Sequence, residues 1–454
     1  MDKIPFSSND VVIGAVFGLA LFVLVAIRTQ RYAEFKTILL AFAIKMVFCF
    51  AYGAVYVFYY TDGDSLRYHR NGLGYADMLR ADLVNGTSDY FTTNPFFWFV
   101  GNATARMENL SGLLHFLLAD SFLACSLFFA FISFIGQYLI YRTFTERYPA
   151  PHLRLWWKIG VLFFPSLIFW SAGMLKDAVG VWALGCALWG AHNVIQNYNF
   201  KSVCLTIIGI YSLFLFRYQV VPALLICLIP LFLAKPEATQ IKRGKAPLPL
   251  FLRRGLCVAL VIAGVVGVSF VGKMKEDYSI DQLPKNLQRR SEGAVRSNNY
   301  KDTSVVATDS SWVSLVKAWP VAVTYTLFRP FLWEANSAVV LAQAMENVIF
   351  SLLCLRALFL VFTNPAIARK AGRSPTFIAC LLFVALYALV VGVAAPNLGT
   401  MTRYRISLLP FMSGVLIILE YHRLELVSEV KRRTIELKRS RAALNAQGLQ
   451  VKSG

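Results

Sequence analysis

The stretch "YYTDGDSLRYHRNG" (59–72) closes a long apolar run with two aspartates, two arginines, a tyrosine and a histidine. The carboxylates Asp62 and Asp64, one residue apart, are of the type that accepts a hydroxyl proton or holds a divalent cation. Other ionisable groups follow apolar runs in the same way. Lys176 and Asp177 lie in "SAGMLKDA", Arg217 follows "LFLF", Arg329 and Glu334 lie in "LFRPFLWEAN", and Asn397, Arg403, Tyr404 and Arg405 lie in "APNLGTMTRYRISLLP". Arginine and lysine neutralise phosphate leaving groups, and arginine grips phosphate oxygens with two parallel donors. Carboxylates beside several cations therefore point to a polyanionic substrate attacked by a hydroxyl. At a membrane, that chemistry fits a sugar carried on a polyprenyl phosphate, with a glycan acceptor. Asp62 and Asp64 are the catalytic candidates, with Mg or Mn at Asp64 as a candidate metal. Lys176, Arg217, Arg329, Arg403 and Arg405 are candidates for binding phosphate, and Tyr68, His69, Asp177, Glu334 and Asn397 for supporting them. Each also has a plainer reading: loop polarity or helix caps for the aspartates, snorkelling for Arg403 and Arg405, structural ion pairs for Lys176–Asp177 and Arg329–Glu334, and a surface position for His69.

These residues belong to an all-α, multi-pass membrane protein. The chain has 454 residues, 57% hydrophobic and only 15% charged, with a mean hydropathy of +0.56; soluble domains carry about a quarter charged residues. Windows of roughly 17–25 apolar residues, enough to span a bilayer, recur near 10–27, 37–60, 113–140, 158–174, 177–193, 202–216, 219–234, 255–272, 338–362, 375–394 and 405–421. That makes about eleven spans in one transmembrane domain (1–421), followed by a basic tail (422–454). The tight turns "MLKDAV" and "FRYQVVP" read as loops or as breaks in helical hairpins. Pro165, Pro222, Pro230 and Pro410 fall within spans and predict kinks. Lys45, inside the second span, reads as a lysine that snorkels toward the cytoplasm. All eight cysteines sit in apolar runs without metal-ligand spacing and read as small apolar side chains.

Alternate connections are basic: "RTQRYAEFK" (28–36), "YRTFTERYPAPHLRLWWK" (141–158), "KPEATQIKRGKAPLPLFLRR" (235–254), "ARKAGR" (368–373) and the tail. The positive-inside rule puts these in the cytoplasm. The net charge of +20 therefore reads as topology, not as a nucleic-acid footprint. The N-terminus is then periplasmic and the C-terminus cytoplasmic, in a bacterial inner membrane. The long loops 61–112 and 273–335 lie outside. Within them "NPFFWFVGNA" (94–103) and "WVSLVKAWPVAVTYTLFRPFLWEAN" (312–336) suit interfacial or re-entrant pieces, and 425–444 suits a helix along the inner surface, held by anionic lipid. The ionisable groups named above then gather at one outer depth. Charges at membrane depth usually face a cavity, pair up or do chemistry. In a helix Arg403 and Arg405 point roughly 160° apart, so one is expected to line the site and the other to anchor its helix.

The acidic pair in the first large outer loop, the many spans and the lack of a nucleotide-sugar domain resemble the GT-C superfamily of polyprenyl-phosphate-sugar-dependent glycosyltransferases. The resemblance implies that Asp62 or Asp64 is the outer-loop acid acting as base or metal-linked group. That acid usually follows the first span, whereas here it follows the second. The segments "FPSLIFWSAGMLKDAVGVWALG" (163–184), "LFRPFLWEAN" (327–336) and "PNLGTMTRYRISLLPF" (396–411) also resemble polytopic bacterial membrane proteins of the Bacteroidetes type, associated with surface-polysaccharide assembly but with no assigned reaction. Two alternatives stay open: a Wzy-like polymerase or ligase relying on outer-face arginines, and a transporter or flippase of a lipid-linked glycan, against which stands the absence of a visible repeat of spans.

The orientation is directly testable. Single-cysteine labels near residues 85 and 300 should react with an impermeant reagent from outside, and labels near 245 and 440 only from the cytoplasm. Labelling at 245 from outside would invert the topology.

Overall fold

The computed structural model describes residues 4–93, 102–196, 198–234, 248–259, 261–262, 311–335, 337–395 and 398–446, and every regular element among them is helical. The principal helices are α1 (Ser8–Thr29), α2 (Phe35–Ala54, continued by a wider turn Val55–Tyr60), α3 (Asp64–Asn85), α4 (Ala103–Leu117), α5 (Phe122–Arg147), α6 (Lys176–Gln196), α7 (Phe200–Arg217), α8 (Val221–Leu233), α9 (Trp312–Phe328), α10 (Ala338–Thr363), α11 (Pro375–Ala394), α12 (Leu398–Arg405) and α13 (Leu409–Ala446). Among the described residues, seven helical stretches are long and apolar enough to cross a membrane, and the pair α12–α13, bent by 58°, brings the number to eight.

Several expected spans take a different form. The stretch expected at 158–174 is a chain of short pieces, Arg154–Trp157, Lys158–Leu162 and Pro165–Trp170. Phe200–Leu233 is one 34-residue helical stretch by length, but its path turns back at Tyr218–Val220. Arg217 pairs with Asp177 at the start of α6, while Leu231 lies beside Arg147 and His192 at the far end of the bundle. Most of 255–272 and of 94–103 lies outside the described residues, as does 273–310. Pro165 and Pro222 open helices, and Pro410 is the second residue of α13. In the first turn the missing amide hydrogen has no partner to lose, so these prolines start helices instead of kinking them. Pro230 does lie inside α8. The tail is not a separate surface helix. With no glycine or proline from 415 to 446, α13 continues without a break from its apolar part into the basic tail.

Helix α9 packs along α11. Trp319 Nε1 donates to Ala385 O at 3.0 Å, and Thr326 Oγ1 to Ala388 O at 2.9 Å. At the centre, α5, α6 and α7 approach through glycines. A Cβ on Gly136 would lie 2.4 Å from Trp182 Cα, one on Gly185 2.2 Å from Gly136 O, and one on Gly209 2.4 Å from Ala187 N. Small residues permit this approach where lipid supplies no hydrophobic drive between helices. Lys45 does not snorkel. It is 1% exposed, and its Nζ donates to Gln137 Oε1 at 3.0 Å, Ile168 O at 3.2 Å and Ser171 Oγ at 2.5 Å. A lysine in an apolar interior needs such acceptors, and Lys45 thereby ties α2 and α5 to the irregular stretch before α6.

The bundle has two distinct polar ends. At one, Tyr141 Oη donates to Glu34 at 2.8 Å, Lys158 Nζ approaches Glu34 at 3.6 Å, Arg147 Nε donates to Thr376 at 2.7 Å and Lys370 pairs with Glu429 at 2.8 Å. The basic connections 28–36, 141–158 and 368–373 and the start of the tail thus gather there. The other end carries α3 and α4, a tight pair in which a Cβ on Gly112 would lie 2.4 Å from Tyr75 Cβ.

Gly136→Ala should separate α5 from α6 and lower the melting temperature of detergent-solubilised protein, by about 1–3 kcal/mol of stability. Gly74→Ala, inside α3 with open space around its Cβ, should not lower it and should raise stability by about 0.5–1 kcal/mol through helix propensity.

Candidate functional site

The turn between α2 and α3 divides the two aspartates. Thr61 is left-handed at φ 55°, and Gly63 has φ 130°, where a side chain is strained and a Cβ would lie 2.6 Å from Tyr56 Cε1. This turn makes Asp64 the first residue of α3, facing the bundle. Asp62 is left outside: its side chain is 80% exposed and pairs with Arg70 at 3.1 Å. The turn is held from below. Tyr52 Oη hydrogen-bonds Ser65 Oγ at 2.8 Å, and Ser65 Oγ donates to Met174 O at 3.0 Å, just before Lys176. Gly173 lets the chain lie against the Tyr52 ring, where a Cβ would come within 2.1 Å of Cε1.

Four segments then meet at Asp177. This carboxylate, 5% exposed, pairs with Arg217 from the end of α7 and accepts the approach of Arg403 Nε at 2.8 Å. Arg403 reaches on to Asp64 Oδ2 at 2.5 Å. Its guanidinium thus bridges two carboxylates from two helices, while Arg217 stacks over the Tyr404 ring at 4.6 Å. Lys176 Nζ donates to Thr104 Oγ1 at 2.9 Å and lies 5.9 Å from the Tyr68 ring. Lys176, Asp177, Arg217, Arg403, Asp64 and Tyr68 therefore share one site. Three cations face two carboxylates, an excess of one positive charge. Buried donors lack a hydrogen-bond partner among the described residues: the Tyr68 hydroxyl, Arg217 Nε and, from α4, Arg106 Nε. Buried polar groups are nearly always satisfied, so these donors have capacity for a further partner.

The Asp64 carboxyl lies outside the spanning helices. Burial would raise its pKa, but Arg403, with Lys176 and Arg217 behind it, holds it below the usual carboxylate range. Burial and the neighbouring Asp64 charge push the Tyr68 phenol well above its ordinary value. Asp64 Oδ2 is held by Arg403.

Arg405 turns the opposite way. It is 1% exposed, donates to Leu327 O at 3.1 Å and Arg329 O at 3.2 Å, and lies 3.8 Å from Glu346. Glu346 in turn accepts Ser166 N at 2.8 Å. Arg329 pairs with Glu334 at 2.8 Å and stacks on Tyr325 at 4.5 Å. These residues form a second polar cluster, in which Arg405 anchors α12 to the end of α9. Alongside it, between α10, α13 and the 156–164 stretch, lies a cavity of about 360 Å³ with mostly apolar walls, including Phe164, Phe350, Leu353 and Leu416.

His69 is not at the surface. It is 2% exposed, its Nδ1 lies 3.1 Å from His115 Nε2, and His115 Nδ1 lies 3.4 Å from Cys125 Sγ, away from the Asp177 cluster. Asn397 falls outside the described residues. The donors at Asp64 do not fit a divalent cation: the neighbouring carboxylate is reached only through Arg403, and among the described residues no three His, Cys, Asp or Glu side chains gather for one ion. Sequence reasoning passed over Glu346, although a lone acid in "AQAMENVIF" is itself a signal. It also passed over Tyr52, Ser65, Thr104 and Arg106, which carry no local signal. Comparison with protein-family profiles, curated proteins and solved structures finds no match to this chain.

Asp177→Asn would leave two arginines facing each other without their shared counter-charge. It should destabilise the folded protein by about 3–5 kcal/mol, read as a large fall in melting temperature. Asp62→Asn should leave the melting temperature unchanged.

Proposed function

We propose that this chain is a membrane glycosyltransferase that uses a polyprenyl-phosphate-linked sugar on the periplasmic face of a bacterial inner membrane, in cell-surface polysaccharide or glycan assembly. The reading rests on one observation above all. At the end of the bundle opposite the basic connections, Lys176, Arg217 and Arg403 outnumber Asp64 and Asp177, and buried donors there have no partner among the described residues. An excess of fixed cations with free donors is what a phosphate leaving group requires. The apolar cavity between α10 and α13 supports the reading, because a polyprenyl chain needs lateral room among the helices. The basic connections at the other end favour an outward-facing site, by the positive-inside rule.

In this reading the acceptor hydroxyl oxygen attacks the anomeric carbon. The bond from that carbon to the phosphate oxygen breaks, and the electron pair leaves on the phosphate, where Lys176 and Arg217 neutralise it. The hydroxyl proton passes to Asp64 Oδ1. Arg403 orients Asp64 by clasping Oδ2. That clasp also favours a second reading, a Wzy-like polymerase in which the arginines hold the lipid phosphate and no carboxylate takes the proton, because a carboxyl with a depressed pKa is a weak base.

The test uses purified protein in liposomes with a polyprenyl-phosphate sugar and a glycan acceptor. Product should form without any gradient. Asp64→Asn should lower the rate by about 100-fold or more, and a full rate in that variant moves the assignment to the arginine polymerase. Arg403→Lys should also slow transfer, since lysine cannot bridge two carboxylates with a planar fork. Because the Asp64 pKa is depressed, the group is already ionised above its ordinary value of about 4. The rate should therefore show no acid-side loss until the pH falls below about 4. Movement of the lipid-linked glycan across the bilayer without a new glycosidic bond would replace the enzyme by a transporter.

A further inference from the structure

We propose that the opposite, basic end of the bundle carries a second ligand site, for a phosphate-bearing anion. The turn after α1, the last turns of α5, the 149–154 connection and the end of α6 enclose a cleft of about 580 Å³, within the range of small-ligand pockets. Membrane topology accounts for basic residues in these connections, but it needs only charge near the inner surface. It does not require four segments to build a shared, ordered cleft.

The carboxylates in the cleft are already engaged. Glu34 accepts both its hydrogen bonds from Tyr141 Oη, at 2.8 and 2.9 Å, with Lys158 at 3.6 Å. Glu146 accepts Arg142 Nε at 2.9 Å and has His192 Nε2 at 3.6 Å. Arg142 is fixed further over the Trp189 ring at 4.9 Å. Arg31 and Arg154 line the same cleft from two different connections, and no carboxylate among the described residues pairs with either. Glu34 and Glu146 are thus engaged by partners in the same cleft, and the guanidiniums of Arg31 and Arg154 remain in its lining. Two forked donors, brought to one cleft by two different connections, match tetrahedral oxyanion chemistry. The same chemistry comes from two sources, the headgroup phosphate of an inner-leaflet lipid and a soluble phosphate ester. This site does not depend on the glycosyltransferase reading, since it uses none of the residues around Asp177.

The test is binding, not transfer. Full-length protein in neutral detergent is titrated separately with inorganic phosphate and with short-chain phosphatidylglycerol, and its melting temperature is followed. A saturable rise is expected. The double variant Arg31→Gln/Arg154→Gln should weaken it by about 10-fold or more, and Arg369→Gln/Arg373→Gln, which removes equal charge outside the cleft, should not. Saturation by phosphate alone assigns a soluble ester, and saturation by phosphatidylglycerol alone assigns a lipid headgroup. Equal weakening in both double variants overturns the site in favour of general charge attraction. Saturation by neither probe in the wild type overturns it outright.

Discussion

The ion pairs around Asp177 are the constraint on which the end of the bundle that carries α3 and α4 depends. A carboxylate and two guanidiniums taken out of water lose several kcal/mol of hydration each, and only close opposite charge restores it. Asp177 is 5% exposed and Arg217 also 5%, so neither can turn to solvent for relief. Once Asp177 is placed at the start of α6, the end of α7 must bring Arg217 to it and α12 must bring Arg403. Arg403 then determines where Asp64 and the start of α3 lie. Four segments, distant in sequence, are positioned by one negative charge.

That arrangement needs a rigid base, and two features supply it. The glycines of α5, α6 and α7 bring the helix backbones into contact, so that the start of α6 cannot tilt freely. Lys45 holds the irregular stretch that leads into α6, through acceptors on α5 and on residues 168 and 171. Unwound backbone at membrane depth is tolerated only where protein satisfies it, and here a buried lysine and Ser133, which donates to Ser171 O at 2.6 Å, do so. The chain can then deliver Lys176 and Asp177 as the first two residues of a helix, side by side but with different partners: Thr104 for the lysine, two arginines for the aspartate.

The two arginines of "TRYR" show how a helix divides labour between neighbours. Two positions apart, they leave α12 on opposite sides. Arg403 enters the cluster of carboxylates, and Arg405 is spent on carbonyl oxygens at the end of α9 and on Glu346. One holds the carboxylates of α3 and α6 together, and the other holds the helix that carries it. The cluster of carboxylates and cations around Asp177 and the one that locks the scaffold thus share a single short helix.

Much of this was legible in the sequence alone. Apolar runs of membrane length, the basic connections and the placement of charges after apolar runs follow from composition and spacing, because desolvation acts on each residue wherever its neighbours lie. The roughly 160° separation of Arg403 and Arg405 is likewise a property of helical period. What the sequence could not decide was partnership. Asp62 and Asp64 look alike in "YTDGDS", but a turn with Gly63 at φ 130° sends one outward and the other onto Arg403. Lys45 reads as a snorkelling lysine until α5 supplies Gln137, and His69 reads as a surface residue until α4 supplies His115. The stretch 158–174 is apolar enough for a span, yet it is broken into short pieces. In each case the deciding atoms come from elements far apart in the chain. Hydropathy sets how deep a residue lies, but only tertiary packing sets which partner it meets there, since the pairing energy of a buried charge depends on distances that no local pattern records.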